Sequence, residues 1–368
     1  MVDHLFYRRY ILNCHLKRIY TRKYTPPDIL FGSLRAYFRK VVRPRFNGVC
    51  STDITVIRAN SDTNQIYLHY FIANPVFISN ATNISSGTRM PRANWNVLAE
   101  TEWAFPTLPI QRKIASILSA YDDLIENNNR RIKILEEMAK TIYDEWFVKF
   151  HFPGYEKAKM VESEPGMIPV GWEIGKLKDI INNVRKNVKA GSELNNLPYV
   201  PIDLIPRKSL ALSESLPGHE AKSSLIIFKG WDILFGAMRS YFHKVVIAPF
   251  DGITRSTCFV LRPVQNEIYS FVVLTLFEDK TVDYSHRHSR GSTMPYAVWD
   301  GSFAEMPIIK PPKDLLIRFK EIVKPILEKI KIFYFQYNNL RQTRDFLLPK
   351  LISGEIDVEN LDINTEES

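Results

Sequence analysis

Three residues in the second half of the chain have the types that a metal-dependent nuclease needs. Asp203 and Glu220 could hold a Mg²⁺ ion through their carboxylates, and Lys222 could assist the attacking water. The pattern is short and recurs by chance, so charged side chains in solvated loops explain it more simply. A Mg²⁺-dependent nuclease that uses these residues is an alternative hypothesis for the chain.

The other motifs that could do chemistry are incomplete. The sequence has neither the GxxxxGK[ST] loop that binds ATP phosphates nor a glycine cluster typical of S-adenosylmethionine sites. Residues 74–77, NPVF, differ at one position from the NPPF tetrad of amino-methyltransferases. His286, Arg287 and His288 have no matching third ligand, so they indicate a basic loop rather than a metal site. We therefore expect no catalytic centre, metal or cofactor in this chain.

The charge balance favours a polyanionic partner. The 368 residues carry 49 Lys and Arg against 40 Asp and Glu, which gives a net charge of +9. The excess is concentrated in residues 1–50, whereas the stretch after Ile352 has only acidic charges. A basic surface attracts nucleic acid, although solubility alone can also explain this composition. A basic two-domain protein that binds RNA or acts as an adaptor is a second alternative.

The remaining composition is typical of a folded protein in a reducing compartment. Hydrophobic residues make up 45% of the chain and aromatic residues 12%. Cys14, Cys50 and Cys258 are odd in number and widely spaced, which suits neither a disulfide framework nor a zinc site. The start lacks the apolar core of a signal peptide, and no apolar run reaches transmembrane length. We expect a cytoplasmic chain with no membrane partner.

The chain contains an internal repeat with an offset of 204 residues. Residues 28–48, DILFGSLRAYFRKVVRPRFNG, recur at 232–252 as DILFGAMRSYFHKVVIAPFDG, with 13 identities in 21 positions. The same offset relates GTRMPRANW at 87–95 to GSTMPYAVW at 291–299. Such a repeat indicates two similar domains. Each would offer a similar surface, which suits a long ligand that is bound at two positions.

Each repeat is followed by a long helical pattern. Apolar residues recur at steps of three and four from Ile114 to Trp146 and from Leu316 to Leu351. We expect Pro325 to kink or break the second of these helices. The predicted fold is α+β, with two mixed α/β domains and two long helices that pack as an antiparallel coiled-coil spacer. The predicted segments are a domain at 1–109, a helix at 110–150, a linker at 151–167, a domain at 168–312, a helix at 313–353 and an acidic tail at 354–368.

The strongest candidates for contact with a nucleic acid are basic and polar residues in and beside the repeated segments. Arg and Lys neutralise phosphates, and Arg can also bind guanine through two hydrogen bonds. We expect Tyr37, Phe38, Tyr241 and Phe242 to belong to the core rather than to stack on bases. The candidate contact residues are Arg35, Arg39, Lys40, Arg43, Arg45, Arg89, Arg92, Arg239, His243, Lys244, His286, Arg287, His288, Arg290, Ser292 and Thr293.

The two domains are unequal at the front. At the offset of 204, Met1 corresponds to Ile205, whereas the second domain already begins near Ile168. The segment before residue 25 also has little similarity to its counterpart. We therefore expect the first domain to be shortened at its N-terminal side by roughly 35 residues.

These features resemble the specificity subunit of type I restriction-modification systems. The resemblance covers nearly the whole chain. The motifs that carry it are LPIQRKIASILSAYDDLIENNNRRIKILEEMAKTIYDEWFVKFHFPG at 108–154, MIPVGWEIGKLKDI at 167–180 and LRQTRDFLLPKLISGEIDV at 340–358. The first and third resemble the two long helices of that family, and the second resembles the start of a target recognition domain.

The resemblance implies a non-catalytic subunit that recognises double-stranded DNA. Each recognition domain would read one half of a bipartite, gapped site, and the helices would set the gap. Two methyltransferase subunits, with S-adenosylmethionine, and motor-nuclease subunits, with ATP and Mg²⁺, would be its partners. The recognised bases and the gap length do not follow from the sequence, because readout also depends on loop geometry and DNA shape.

Overall fold

The computed structural model describes residues 7–12, 16–19, 23–164, 166–189, 191, 194, 196–222 and 224–363. The chain divides into two units. The first unit comprises Met1–Glu126 and Asn339–Ser368, and the second comprises Asn127–Asn338. Each unit therefore contains part of both long helices.

The first unit contains ten short strands and three short helices among its described residues, followed by a long helix. The strands are β1 (Tyr7–Ile11), β2 (Leu16–Ile19), β3 (Lys23–Tyr24), β4 (Ile29–Gly32), β5 (Val41–Val42), β6 (Gly48–Val49), β7 (Ile54–Ala59), β8 (Ser85–Ser86), β9 (Arg92–Ala93) and β10 (Glu102–Pro106). The helices are α1 (Gln65–Ala73), α2 (Pro75–Asn83), α3 (Trp95–Glu100) and the long α4 (Leu108–Tyr143), which continues as a π-helical turn over Asp144–Val148.

The second unit repeats this order with additional strands. The strands are β11 (Met160–Ser163), β12 (Gly166–Pro169), β13 (Glu173–Lys176), β14 (Ile181–Asn183), β15 (Asn187–Val188), β16 (Tyr199–Val200), β17 (Leu225–Phe228), β18 (Ile233–Gly236), β19 (Val245–Ile247), β20 (Gly252–Arg255), β21 (Cys258–Pro263), β22 (Ser289–Arg290), β23 (Tyr296–Ala297) and β24 (Pro307–Lys310). The helices are α5 (Tyr269–Phe277), α6 (Asp279–Arg287) and the long α7 (Lys313–Ser353).

Both units are built on an antiparallel four-stranded sheet of the same order. The sheet is β2-β7-β4-β5 in the first unit and β14-β21-β18-β19 in the second. The repeated ILFG sequence forms the inner strands β4 and β18, whose Ile and Phe side chains are buried. Helices α1 and α5 add buried aromatic and aliphatic residues to the same cores. Burial of these apolar side chains is the main favourable term in folding each unit.

The two long helices pack in antiparallel fashion, as predicted. In the first unit, Ile114 and Leu118 from the start of α4 share a core with Leu351 from the end of α7. In the second unit, Tyr143 from the end of α4 packs against Phe319 from the start of α7, with 6.3 Å between ring centroids. Of the two outcomes expected at Pro325, a kink or a break, the break does not occur, because α7 is continuous from Lys313 to Ser353.

Helix α1 ends at Ala73, and a second helix, α2, begins at Pro75. The Asn74 side chain accepts a hydrogen bond from the backbone N–H of Val76, and Pro75 occupies the first helical position of α2. Both residues favour the start of a helix, where backbone N–H groups have no partner within the helix. The asparagine side chain accepts a hydrogen bond from one such N–H, and proline has no N–H. Proline therefore starts a helix here as well as stopping the one before it.

The first unit is shorter than the second, but the missing residues are internal rather than N-terminal. Strand β1 pairs with β10 as β13 pairs with β24, and β2 pairs with β7 as β14 pairs with β21. Leu16 thus corresponds to Ile181, at an offset of 165, whereas Lys23 corresponds to Ile227, at an offset of 204. The difference of 39 residues falls between these points. The added segment of the second unit, residues 185–226, contains β15, β16 and the start of β17.

We predict that Gly252→Ala destabilises the second unit. An added Cβ would lie 2.6 Å from the carbonyl oxygen of Pro198 and 2.6 Å from Cζ of buried Phe228. Overpacking of this kind costs about 1–3 kcal/mol, so urea unfolding should show a lower midpoint. Gly230→Ala is the control, since its nearest atoms would be 3.7 Å away. Equal midpoints for the two variants would contradict the prediction.

Candidate nucleic-acid interface

The repeated segment forms the same strained turn in both units. We call residues 34–40 and 238–244 the knuckles. In each knuckle, a one-turn 3-10 helix lies between two residues with left-handed backbone, Arg35 and Arg39 (φ 52° and 54°) or Arg239 and His243 (φ 52° and 51°). Non-glycine residues rarely adopt this conformation, and each such position costs on the order of 1 kcal/mol or more.

A second repeated segment holds each knuckle in place. Hairpin β8–β9 in the first unit and hairpin β22–β23 in the second each carry a turn, at 87–91 and at 291–295. The backbone N–H of Arg35 donates to the carbonyl oxygen of Pro91, and that of Arg239 donates to Pro295, both at 2.8 Å. These bonds explain why the two segments recur together at one offset in the sequence.

Nine of the sixteen predicted contact residues lie in the knuckles or the hairpin turns, and five of these nine are exposed. The candidates in the hairpin turns, Arg89, Ser292 and Thr293, are all exposed. Arg35, Arg43, Arg239 and Lys244 are half-buried, and His243 is buried. The exposed members of the set are Arg39, Lys40, Arg45, Arg89, Arg92, His286, Arg287, His288, Arg290, Ser292 and Thr293.

Some of these cations already have acidic partners within their own unit. Arg45 lies 2.8 Å from Glu126 and 3.3 Å from Asp123, and Arg92 Nε donates to Asp53 at 2.8 Å. Such exposed ion pairs contribute little to stability and can exchange one anion for another. A DNA phosphate could therefore replace either carboxylate at small cost.

One arginine atom is buried without a partner at the same place in both units. Nε of Arg35 and Nε of Arg239 have no hydrogen-bond acceptor. The other end of the Arg35 guanidinium donates from Nη2 to the carbonyl oxygen of Arg89 in the hairpin turn, at 3.2 Å. A buried donor without an acceptor is costly, so this atom weakens the fold equally in both units.

His243 and Lys244 support the second knuckle instead of projecting from it. The His243 ring packs on Phe277, and Nδ1 lies 3.1 Å from Oδ1 of Asp279. Burial is the main cause that lowers the pKa of His243. Lys244 Nζ donates to the carbonyl oxygen of Ile202 at 2.7 Å. Both were expected to contact a nucleic acid, but their burial and internal bonds assign them to the scaffold of the knuckle.

The expectation that the knuckle aromatics belong to the core is wrong for three of the four. Tyr37, Phe38 and Tyr241 are exposed, and Phe242 is half-buried beneath the Arg207 guanidinium, 3.9 Å from its ring centroid. Left-handed residues on both sides turn the short helix outward, so the aromatic rings lie at its surface. The sequence predicts burial because the rings stand in an apolar run, and it gives no sign of the left-handed turns.

The residues considered for metal chemistry lie in separate elements of the second unit. Within the described ranges, no group of three or more His, Cys, Asp or Glu side chains is placed to hold an ion. Asp203 and Glu220 lie in separate one-turn helices, Ile202–Leu204 and Gly218–Glu220. His286 and Arg287 form the last turn of α6 and are not in a loop, and the ring of His288, the residue that follows α6, stacks on Tyr284 at 3.9 Å.

Taken together, these features define a class of protein. Two homologous α+β units share a pair of antiparallel long helices, and each presents a rigid basic turn beside a hairpin. This is the architecture of a tandem recognition protein, and its described residues form no metal cluster.

Comparisons with known proteins give the family. A family model described as "Type I restriction modification DNA specificity domain" matches residues 20–137 and 169–334. The MjaIX type I restriction enzyme specificity subunit of Methanocaldococcus jannaschii is 30% identical over 316 residues, which cover 80% of this chain and 70% of that protein. The HindI specificity subunit of Haemophilus influenzae is 24% identical, with 89% and 86% coverage.

The fold agrees with this assignment. The crystal structure of the type I restriction-modification S subunit from M. genitalium superposes with a TM-score of 0.60, at 15% identity, over 95% of this chain and 97% of that one. The chain belongs to the family of type I restriction-modification specificity subunits, which are not themselves catalytic. In the described part of the chain, no helix is both long enough and apolar enough to cross a membrane.

We predict that low pH weakens the second unit through His243. Burial lowers its folded-state pKa below the usual 6.5, so the unfolded chain binds the proton more readily. The stability that neutral His243 contributes is therefore present above about pH 6.5 and is lost as the pH falls through that value. Asp279 opposes this loss, and Lys208, 3.3 Å from Asp279, adds to it.

His243→Asn should make thermal stability less dependent on pH between pH 7 and pH 5. Asparagine tolerates left-handed backbone and does not titrate in this range. Exposed His286→Asn is the matched control and should leave the wild-type dependence unchanged. His69, whose pKa burial lowers to about 4, keeps a separate pH dependence in the first unit. An unaltered slope in His243→Asn would rule out this residue as the cause.

Proposed function

We propose that this specificity subunit reads a bipartite, gapped site in double-stranded DNA, with one half-site for each unit. The observation that carries the proposal is the duplicated knuckle and hairpin, which have the same backbone bonds but different exposed side chains. A rigid frame that repeats, with variable residues on it, is what two related but different recognition events require.

The shared and unshared residues divide the work within each half-site. Arg35 and Arg239 occupy the same position in the two knuckles. They are suited to a phosphate, because a phosphate contact is the same whatever the base sequence. Arg89 and Thr293 occupy equivalent turn positions but differ in chemistry, so they are suited to different bases. The exposed rings of Tyr37 and Tyr241 add apolar contact area beside these donors.

The partners and cofactors follow from the same proposal. Two methyltransferase subunits would bind S-adenosylmethionine and modify adenine, after turning the base out of the duplex. Motor-nuclease subunits would bind ATP and Mg²⁺. The working assembly would be cytoplasmic, where cellular DNA and these subunits are available. This chain would supply the sequence recognition on which both activities depend.

Adenine-methylation mapping tests the proposal directly. The chain would be expressed with the methyltransferase subunit from its own operon, and the methylated positions of the host genome would be mapped. We expect methylation at one gapped, two-part motif. A single half-site or its palindrome would mean that only one unit reads DNA. A complex that prefers RNA, or cleavage by the chain alone that Lys222→Ala abolishes, would favour the alternatives.

Two kinds of variant should separate phosphate binding from base reading. Arg239→Gln should weaken binding to every duplex and reduce the dependence of log Kd on log salt by about one. Thr293→Arg should instead change the methylated motif in one half only, with discrimination altered by about 1–3 kcal/mol at one base pair. Lys157→Gln, an exposed change in the linker, is the control. A motif altered in both halves by Thr293→Arg would contradict the division of labour.

A further inference from the structure

The first unit has an apolar face that its own described residues leave open. Val42, Phe46 and Val49 are 53%, 65% and 74% exposed. They follow the first knuckle, in β5, in β6 and in the turn between these strands. Single exposed apolar residues are ordinary on protein surfaces, whereas a run of three on one short segment marks an interaction site.

The counterparts of these three residues are covered in the second unit. Val246 and Ile253, the counterparts of Val42 and Val49, are fully buried, and Phe250, the counterpart of Phe46, is half-buried. The residues that cover them come mainly from the added segment 185–226. Val200, Ile202, Ile205 and Leu212 share a core with Val246 and Phe250, and Tyr199 and Leu225 share one with Ile253. The open face is thus the surface that the added segment occupies in the sister unit.

A strand edge is open at the same place. In the second unit, β20 pairs with β17 on one side and, in parallel, with β16 on the other. In the first unit, the equivalent β6 pairs with β3 on one side, and no described strand pairs with its other side. An open edge beside an apolar face is the arrangement that binds an extended peptide as an added strand.

Two side chains of the second knuckle contact the added segment, and their counterparts in the first knuckle do not have these contacts. Lys244 donates to the backbone carbonyl oxygens of Ile202 and Asp203, both in the added segment. Its counterpart Lys40 is exposed. Phe242 lies under the guanidinium of Arg207, whereas Phe38, its counterpart, is 53% exposed.

We propose that the face formed by Phe38, Val42, Phe46 and Val49 binds an extended segment of another polypeptide, which adds a strand parallel to β6. The segment carries aliphatic side chains for Val42 and Phe46, backbone carbonyls for Lys40 and an arginine for Phe38. This interaction is separate from DNA reading and does not depend on the proposed function. In sequence, the first unit has three residues, 20–22, at the position where the second unit has the added segment 185–226.

The second unit supplies a probe for the test. A fluorescent peptide of residues 198–213, PYVPIDLIPRKSLALS, contains the strand, the carbonyls and the arginine of the natural cover. Its binding to the full chain would be followed by fluorescence anisotropy without DNA. A peptide with Ile202→Asp and Arg207→Ala is the control ligand. We expect saturable binding of the first peptide and at least tenfold weaker binding of the second.

The variants locate the binding to the open face. Val49→Glu and Phe46→Glu should each weaken the peptide by tenfold or more and leave the melting temperature unchanged, because the replaced side chains are exposed. Val97→Glu changes an exposed apolar residue on α3 and should leave affinity within twofold. Val42→Thr, a milder change, gives the same test if a glutamate variant unfolds.

Three results would overturn the proposal. No saturable binding of the 198–213 peptide would exclude a cover of this chemistry. A wild-type dimer in light scattering that Val49→Glu converts to monomer would make a second copy of the chain the occupant. A large loss of melting temperature in Val49→Glu and Val42→Thr would show that the chain covers this face itself. None of these results bears on methylation, so they leave the DNA-reading proposal to its own experiment.

Discussion

The proposed recognition surface of each unit depends on backbone hydrogen bonds between two segments that are more than fifty residues apart. The N–H of Arg35 binds the carbonyl oxygen of Pro91, and the N–H of Arg239 binds that of Pro295. Each bond ties a left-handed residue of the knuckle to a hairpin turn, so two surface loops move as one body. A strained turn persists only when its surroundings hold it. Side chains that must meet DNA at fixed positions gain from such rigidity, because less entropy is lost on binding.

The sequence predicted the large elements well and the small turns poorly. Apolar residues at steps of three and four located both long helices, and the 204-residue offset indicated that the chain contains two similar domains, because these signals extend over many residues. The internal position of the missing segment could not be found, since β1 and β2 match β13 and β14 only through their strand pairing. Similar pairing needs little similarity of sequence, so an alignment at a fixed offset placed the difference at the N-terminal side.

The basic residues of the candidate site could be named from the sequence, but their surroundings could not. Residue types alone identified the basic segments, because Arg and Lys are suited to phosphates wherever they stand. They did not separate an exposed Arg39 from its buried counterpart His243, or an exposed Lys40 from Lys244, which is held by two carbonyls. For Lys244 the difference arises from carbonyls of the added segment, and for His243 it arises from Phe277, on which the ring packs. Burial is a property of the assembled unit, and the local pattern around each residue is nearly the same.

The division of the long helices between the units has a consequence for the order of folding. The second unit is one continuous stretch, Asn127–Asn338, whereas the first is completed by Asn339–Ser368. Leu351 and Ile352 enter the same core as Ile114, more than two hundred residues earlier in the chain. During synthesis from the N-terminus, the unit that begins first must therefore wait for the last part of the chain, and the unit made later can fold before it. A chain that stops within α7 but after Asn338 would therefore contain the whole second unit and only part of the first.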